Sequence, residues 1–297
     1  MCGRYALPLP ADALRALYGT FNVVPNTALT WNVAPSQSVP VVRGHPRRVS
    51  GISTYALRLG DDALVMAQRM GEWIANAPQL EEDVALGNIA LDLLGQARTL
   101  LAYAGATEGS GRTEDDLAYL RDERAFLNVQ LVEQPRGDFA VAMARQLFFS
   151  TYQLALYDRL QHSSDETLAG VAGKAVKEVD YHRDHATHWV LRLGDGTAES
   201  HQRMQHGLVA VAPFIDELFT SDDLERTLAA EGVAVDAATL RPECDAYVDA
   251  VLSEATLERP VPSWTAHGGR QGVHSEPFGF LLAEMQHLHR SHPGASW

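Results

Sequence analysis

The sequence predicts an all-α protein: an antiparallel bundle of long helices with extra C-terminal helices, preceded by a short irregular leader with some β character. Three observations predict this. First, only Pro78 and Pro135 interrupt the chain between Val49 and Ala212, and proline breaks helix interiors by removing an N–H and clashing with the preceding turn. Second, apolar residues within that stretch recur at intervals of three and four, the helical period. Third, the first 48 residues differ in kind, holding six of the fourteen prolines and a local charge of opposite sign. Several long helices with short connections make an antiparallel bundle.

The leader carries Arg4, Arg15, Arg43, Arg47 and Arg48 against Asp12 alone, a net +4 that leaves −18 on the rest of the chain. Phe21–Val24 and Val39–Arg43 are β-branched, while Pro25-Asn26 and Gly44-His45-Pro46 read as turns. So short a segment cannot bury a core of its own, and residues 1–48 are expected not to form an independent domain. A boundary near Arg48–Ser53 follows, with one helical domain over residues 53–297.

Within that domain a helix is expected over Asp61–Ala77. In Val84–Leu101 the stripe is Leu86, Ile89, Ala90, Leu93, Leu94, Ala97, Leu100 and Leu101. Phe139–Leu160 is apolar nearly all round, which suits a central buried helix. Ala172–Leu193 repeats the stripe through Ala175, Val176, Val179, His182, Ala186, Trp189 and Val190. Further helices are expected over Ser200–Phe219, Asp222–Glu231 and Cys244–Glu258. The last, over Phe278–Arg290, follows a loop holding Gly268, Gly269 and Gly272.

Composition narrows the function classes. The 297 residues are 46% hydrophobic and 21% charged, the balance of a folded rather than disordered chain. A net charge of −14 opposes nucleic-acid binding through bulk positive charge. Two cysteines, Cys2 and Cys244, make no disulfide framework and suit a reducing compartment. No apolar run reaches the roughly 20 residues of a membrane span, and the N-terminus lacks a signal-peptide layout. The expectation is a soluble cytoplasmic protein.

An acidic bundle with histidine on an apolar stripe raises the question of a metal centre. Ferritin-like bundles hold two irons with a Glu from each of two helices and a Glu-x-x-His from each of the other two, since residues three apart share a helical face. Here the inward pair on the second helix is Leu93 and Gln96, and on the fourth it is Val179 and His182. The central helix offers Ser150 and Thr151 and no acid before Asp158. Glu72 on the first helix shares a face with Gln68, Arg69 and Asn76 and reads as solvated. Leucine and valine cannot ligate iron. The sequence therefore predicts no metal bound by this chain: Leu93, Gln96, Ser150 and Val179 stand at lost-ligand positions, and Glu72 and His182 are remnants. A rival set, His182 with His185 and His188 or with Glu178, fails because His185 and His188 rotate off the stripe; Asp92 and Glu178, which flank it, read as solvated or interface-paired.

From about Ser53 to Trp297 the chain resembles the C-type subunit of the multicomponent phenylacetyl-CoA epoxidases, also called phenylacetate-CoA oxygenases. The matching segments are Tyr55-Ala-Leu-Arg-Leu-Gly-Asp61, Gly71-Glu-Trp73, Asn88-Ile-Ala-Leu-Asp-Leu-Leu-Gly-Gln-Ala-Arg98 and Arg121-Asp-Glu-Arg124. Val132-Glu-Gln-Pro135, Lys177-Glu-Val-Asp-Tyr-His182, Glu231-Gly-Val-Ala-Val-Asp236 and Leu282-Ala-Glu-Met-Gln286 continue the match in order. The resemblance implies a ferritin-like bundle that has lost its metal ligands and serves as a non-catalytic structural subunit. Its partners would be the homologous catalytic subunit, which keeps a di-iron site and binds phenylacetyl-CoA, and the other members of the complex. Electrons would come from NADPH through a reductase carrying FAD and an iron–sulfur cluster. No membrane or nucleic-acid partner is implied.

The leader resembles a different family. Met1-Cys-Gly-Arg-Tyr5, Trp31-Asn-Val-Ala-Pro-Ser-Gln37 and Pro40-Val-Val42 are similar to the start of the SOS-response-associated peptidases, which capture abasic sites in single-stranded DNA. That resemblance would give Cys2, exposed by removal of Met1, the role of condensing with a sugar aldehyde, and Asn32 that of the active-site asparagine. The family's later Glu and His motifs have no counterpart after Arg48. The alternatives to the subunit reading are therefore an abasic-site binder acting through Cys2 and a stand-alone di-iron oxygenase, which the missing carboxylates oppose.

Overall fold

The computed structural model of the chain describes residues 5–7, 30–33 and 51–295, and the chain divides into two compact units, Met1–Arg48 and Val49–Trp297. In the first unit, β1 (Tyr5–Leu7) and β2 (Thr30–Val33) pair antiparallel with Tyr5 opposite Val33. The strand-like stretches Phe21–Val24 and Val39–Arg43 lie outside the described residues.

The second unit is all helix, with ten α-helices among the described residues. Four long ones form the bundle: α1 (Gly51–Gly71), α2 (Leu80–Glu108), α5 (Phe139–Leu160) and α6 (Glu166–Gly194). Between them lie α3 (Glu114–Tyr119) and α4 (Gln130–Glu133); after them come α7 (Ala198–Val211), α8 (Asp223–Ala230), α9 (Arg241–Glu254) and α10 (Glu276–Ser291). Ser53 Oγ donates to the Ala104 carbonyl at 2.9 Å, so α1 and α2 run antiparallel. Gln96 meets Glu178 while Glu82 meets His185, so α2 and α6 also oppose each other. At the other end of α1, Trp73 packs edge-on against Phe139, placing the start of α5 beside the start of α2. Those two helices therefore run the same way, and residues 109–138 form a long crossover. One such crossover distinguishes the ferritin-like bundle from a simple up-down bundle.

Side-chain caps mark several starts. Asp138 Oδ1 accepts from Val141 N at 2.9 Å for α5, and Asp165 Oδ1 from Leu168 N at 2.9 Å for α6. Thr113 with Asp116 and Thr197 with Ser200 make capping boxes for α3 and α7. The central helix is buried as its composition predicts: α5 keeps only partial contact with solvent at Phe139, Val141, Leu154 and Ala155 before Asp158.

Some boundaries differ from the sequence reading. The first helix begins at Gly51, ten residues before Asp61. Asp61 and Asp62 resemble the acids of a helix start, but they lie mid-helix and fully buried, 0% and 2% exposed. The helix ends at Gly71, and Ala75 adopts a positive φ of 62° in the following turn. The span Ser200–Phe219 divides at Pro213, where α7 gives way to two 3-10 turns. The helix expected over Cys244–Glu258 starts three residues earlier, with Pro242 in its first turn, and is over before Thr256, whose φ is 57°. Leu94, assigned to the inward stripe, is exposed.

The buried acids of α1 hold the crossover in place. Asp61 is gripped by both terminal nitrogens of Arg121, one at 3.0 Å, and accepts from Leu127 N at 2.8 Å. Asp62 takes a bidentate pair from Arg270 at 3.0 and 2.8 Å and accepts from Val129 N at 2.9 Å. One turn earlier Arg58 pairs with Glu225 at 3.0 Å and with Asp222, the cap of α8. Glu133 accepts from Ser275 N at 2.5 Å and Asn128 at 2.9 Å and meets His274 Nδ1 at 2.7 Å. Glu217 receives Gln130 N at 2.6 Å and Gly269 N at 2.7 Å. Gly269 must be glycine: a Cβ there would collide with the Asn128 carbonyl. The buried charges thus satisfy the backbone N–H groups of Leu127, Val129, Gln130, Gly269 and Ser275, which intrahelical bonds leave unpaired.

Removing one partner of a buried pair leaves the other charge uncompensated, which costs about 3–5 kcal/mol. Asp61→Ala is expected to lower the stability measured by urea unfolding by that amount while α-helical circular dichroism before the transition stays unchanged. His274 gives a pH-dependent counterpart. Burial pushes its imidazole toward the neutral form, and the hydrogen bond and charge of Glu133 outweigh that, so its pKa is raised. The contribution is complete below the unfolded value of about 6.5 and is lost as pH rises through the folded pKa. Melting temperatures measured from pH 6 upward should fall in the wild type and lack this component in His274→Gln.

Candidate functional site

Ferritin-like bundles draw their metal ligands from the inward faces of all four long helices, here α1, α2, α5 and α6. Polar side chains that α2 and α6 turn toward each other form a ladder. On α2, Glu82, Leu86, Ile89, Leu93, Gln96 and Leu100 are all buried, and their alternation of four and three keeps them on one face. On α6, Glu178, His182, His185 and Trp189 follow the same rule. Glu82 Oε2 lies 2.7 Å from His185 Nε2 and accepts from Trp189 Nε1, also at 2.7 Å. Asp92 meets His182 Nε2 at 3.1 Å. Gln96 Nε2 donates to Glu178 at 3.1 Å, and Gln153 of α5 donates to Gln96 Oε1 at 3.1 Å. The last rung floors a groove of about 290 Å³ edged by Gly95, Gly170 and Lys174.

This ladder does not suit two irons. Fourteen residues separate Glu82 from Gln96, about 21 Å of helix, whereas a dinuclear site holds its metals about 3.5–4 Å apart. Each carboxylate already has a nitrogen partner, and the intervening positions Leu93 and Val179 are completely buried hydrocarbon. Among the described residues no group of three or more His, Cys, Asp or Glu is arranged to hold a metal ion. Burial lowers the pKa of His182, and the Asp92 hydrogen bond only partly offsets it. At neutral pH its ring is therefore uncharged, and Nδ1 is buried without a partner.

Of the residues singled out from sequence, Gln96 and His182 join the ladder while Leu93 and Val179 fill its core. Ser150 is buried on α5 and turns its hydroxyl back to the Gln146 carbonyl at 2.6 Å, a bond within its own helix. Glu72 lies off the ladder just past the end of α1. The sequence reading leaves it solvated, but it is mostly buried and pairs with buried Arg69 at 2.5 Å. His185, read as turned away, is only 9% exposed; one turn of α6 carries it from the stripe to Glu82. Asp92 and Glu178 are paired within the chain. His188 is exposed and, among the described residues, meets Asp184 of its own helix. Glu82 and Gln153 escaped the sequence reading, although the four–three spacing back from Leu86 reaches Glu82.

Two further chemistries can be placed. A groove of about 480 Å³ between α5, α6 and α9 reaches Cys244, whose thiol burial pushes up to about 12; it stays protonated and is a poor nucleophile. Cys2 lies outside the described residues, and Asn32 falls in β2.

Rebuilding ligands should destabilise the bundle before it creates a site. Leu93→Glu, Gln96→His and Val179→Glu together place two carboxyl groups in a packed core without partners, and each unpaired polar group costs about 1–3 kcal/mol even when neutral. A fall in melting temperature with no iron uptake is expected; iron binding at unchanged melting temperature would refute this view of the core.

The segments that carry the resemblance noted above coincide with these contacts. Tyr55–Asp61, Arg121–Arg124 and Val132–Pro135 supply Arg58, Asp61, Arg121 and Glu133, while Asn88–Arg98 and Lys177–His182 supply four rung residues. Leu282–Gln286 ends on a buried amide that donates to the carbonyls of Ala118 and Arg121, each at 3.0 Å. The family model described as phenylacetic acid catabolic protein matches residues 45–297. The chain is 48% identical over 246 residues to the C-type subunit of 1,2-phenylacetyl-CoA epoxidase from Escherichia coli strain K12, a match spanning 83% of this chain and 99% of that protein. With over four-fifths of its length matched by the family model, the chain belongs to the phenylacetic acid catabolic protein family.

Proposed function

We propose that this chain is the non-catalytic structural subunit of a phenylacetyl-CoA 1,2-epoxidase in aerobic phenylacetate catabolism. The observation that carries the reading is the ladder: the bundle keeps the ferritin-like topology while hydrocarbon and paired side chains fill the positions from which iron would be held. Near-complete coverage of the Escherichia coli epoxidase subunit supports it.

In this reading the chain pairs with a catalytic subunit that holds the di-iron site and takes phenylacetyl-CoA, so substrate meets this chain only through the complex. Dioxygen chemistry would be supplied there, with electrons delivered from NADPH by a reductase carrying FAD and an iron–sulfur cluster. This chain's own residues contribute rigidity. The Asp61, Asp62 and Glu133 networks pin the crossover, and the rungs fix the spacing of α2 against α6, so the outer surfaces of the bundle are presented in one arrangement. No helix among the described residues is long and apolar enough to cross a membrane, which accords with action in the cytoplasm.

Elemental analysis on protein purified alone from iron-replete cells should find iron near zero per chain. Adding the chain to the catalytic subunit and reductase should raise phenylacetyl-CoA epoxidation well above that of the mixture lacking it. About two irons per chain, the content of a di-iron bundle, would make this chain an oxygenase in its own right. Equal activity with and without it would remove the structural role.

A further inference from the structure

Helix α2 carries two apolar seams, and the bundle uses only one. The inner seam is the ladder face described above. The outer seam is Leu80, Val84, Gly87, Leu91 and Leu94, again spaced four, three, four and three. At about 100° per residue the two stripes lie on opposite sides of the helix. Leu80 is 74% exposed, Val84 57%, Leu91 65% and Leu94 44%. An ideal Cβ on Gly87 would have no atom within 4 Å among the described residues, so the seam is open at its middle position. Exposed Ile74 extends it at one end.

Scattered exposed apolar residues are ordinary, but a contiguous stripe marks an interaction surface. A four–three repeat is the pattern into which a second helix inserts its side chains, and glycine at one seam position permits close approach. Charge decides which helix. The residues bordering the stripe near its start are Glu81 and Asp83, and the sole cation between Leu80 and Thr99 is Arg98, already engaged by Glu114 at 3.2 Å. A second copy would bring the same acidic borders on a chain of net charge −14. A different chain with basic residues beside its apolar stripe complements them.

We infer that the outer face of α2 is the docking surface for a helix of a different subunit, one with an apolar four–three seam bordered by lysine or arginine. The inference rests on the subunit reading above and names the face that reading requires. Its partner in the complex is the catalytic subunit.

The test uses full-length chain and purified catalytic subunit, with affinity measured by analytical ultracentrifugation. Val84→Asp with Leu91→Asp alters two exposed positions and should leave the melting temperature unchanged while weakening the complex about 100-fold or more. Leu91→Ala, which introduces no charge, should weaken it about tenfold. Glu81→Lys with Asp83→Lys should weaken it more at low than at high salt. Wild-type binding that Val84→Asp/Leu91→Asp leaves intact would overturn the docking face and spare the subunit reading. Failure of the wild type to bind would overturn the subunit reading itself. A wild-type homodimer split by the same double variant would assign the seam to a second copy and overturn the different-subunit inference.

Discussion

Two adjacent aspartates in the middle of α1 set the terms for the rest of the helical unit. Asp61 and Asp62 are buried beyond the reach of solvent, and desolvated carboxylates are tolerated only when paired and hydrogen-bonded. Arg121 comes from the crossover and Arg270 from the loop before α10, so satisfying two neighbouring side chains recruits segments 60 and 208 residues away. Leu127 N and Val129 N complete the coordination. The same contacts satisfy backbone in extended segments, so pairing the charges and placing the crossover are one event.

Buried ion pairs are weak evidence for stability when compared with a well-packed hydrocarbon core. Their worth here is in geometry: an arginine fork accepts a carboxylate in few orientations, whereas an apolar contact tolerates sliding. The polar ladder between α2 and α6 extends that logic. Where a metal-binding bundle would converge several carboxylates on one point, this chain spreads its carboxylates along the helix and gives each its own nitrogen donor. The result is a spacer of fixed dimensions, consistent with a subunit whose contribution is the surface it presents.

Much of the helical unit was legible in the sequence. Low proline content and helical periodicity disclosed the long helices, and the burial of α5 followed from its nearly uninterrupted apolar composition. Leu93, Gln96, Val179 and His182 could be placed on inward faces from spacing alone. Other features were not legible. Asp61-Asp62 looks like a helix start because local rules assign paired acids to the first turn, and only long-range arginines reveal them as core residues. His185 looked outward because the apolar stripe was followed through Ala186; the four–three spacing from His182 carries His185 to the face toward α2, where Glu82 meets it. Leu94 erred the opposite way, since periodicity cannot say which of two apolar stripes meets the bundle.

What the sequence by itself determined was therefore the class of the protein, the positions of its principal helices and the poverty of its inward faces in iron ligands. Each follows from local properties: helix propensity, period, and the chemistry of individual side chains. Tertiary structure alone decided which charges are buried, how the crossover returns to the starting end of the bundle, and that α2 has a covered seam and an open one. These depend on pairings between residues far apart in the chain, and a carboxylate's neighbours are set by the fold that brings them together.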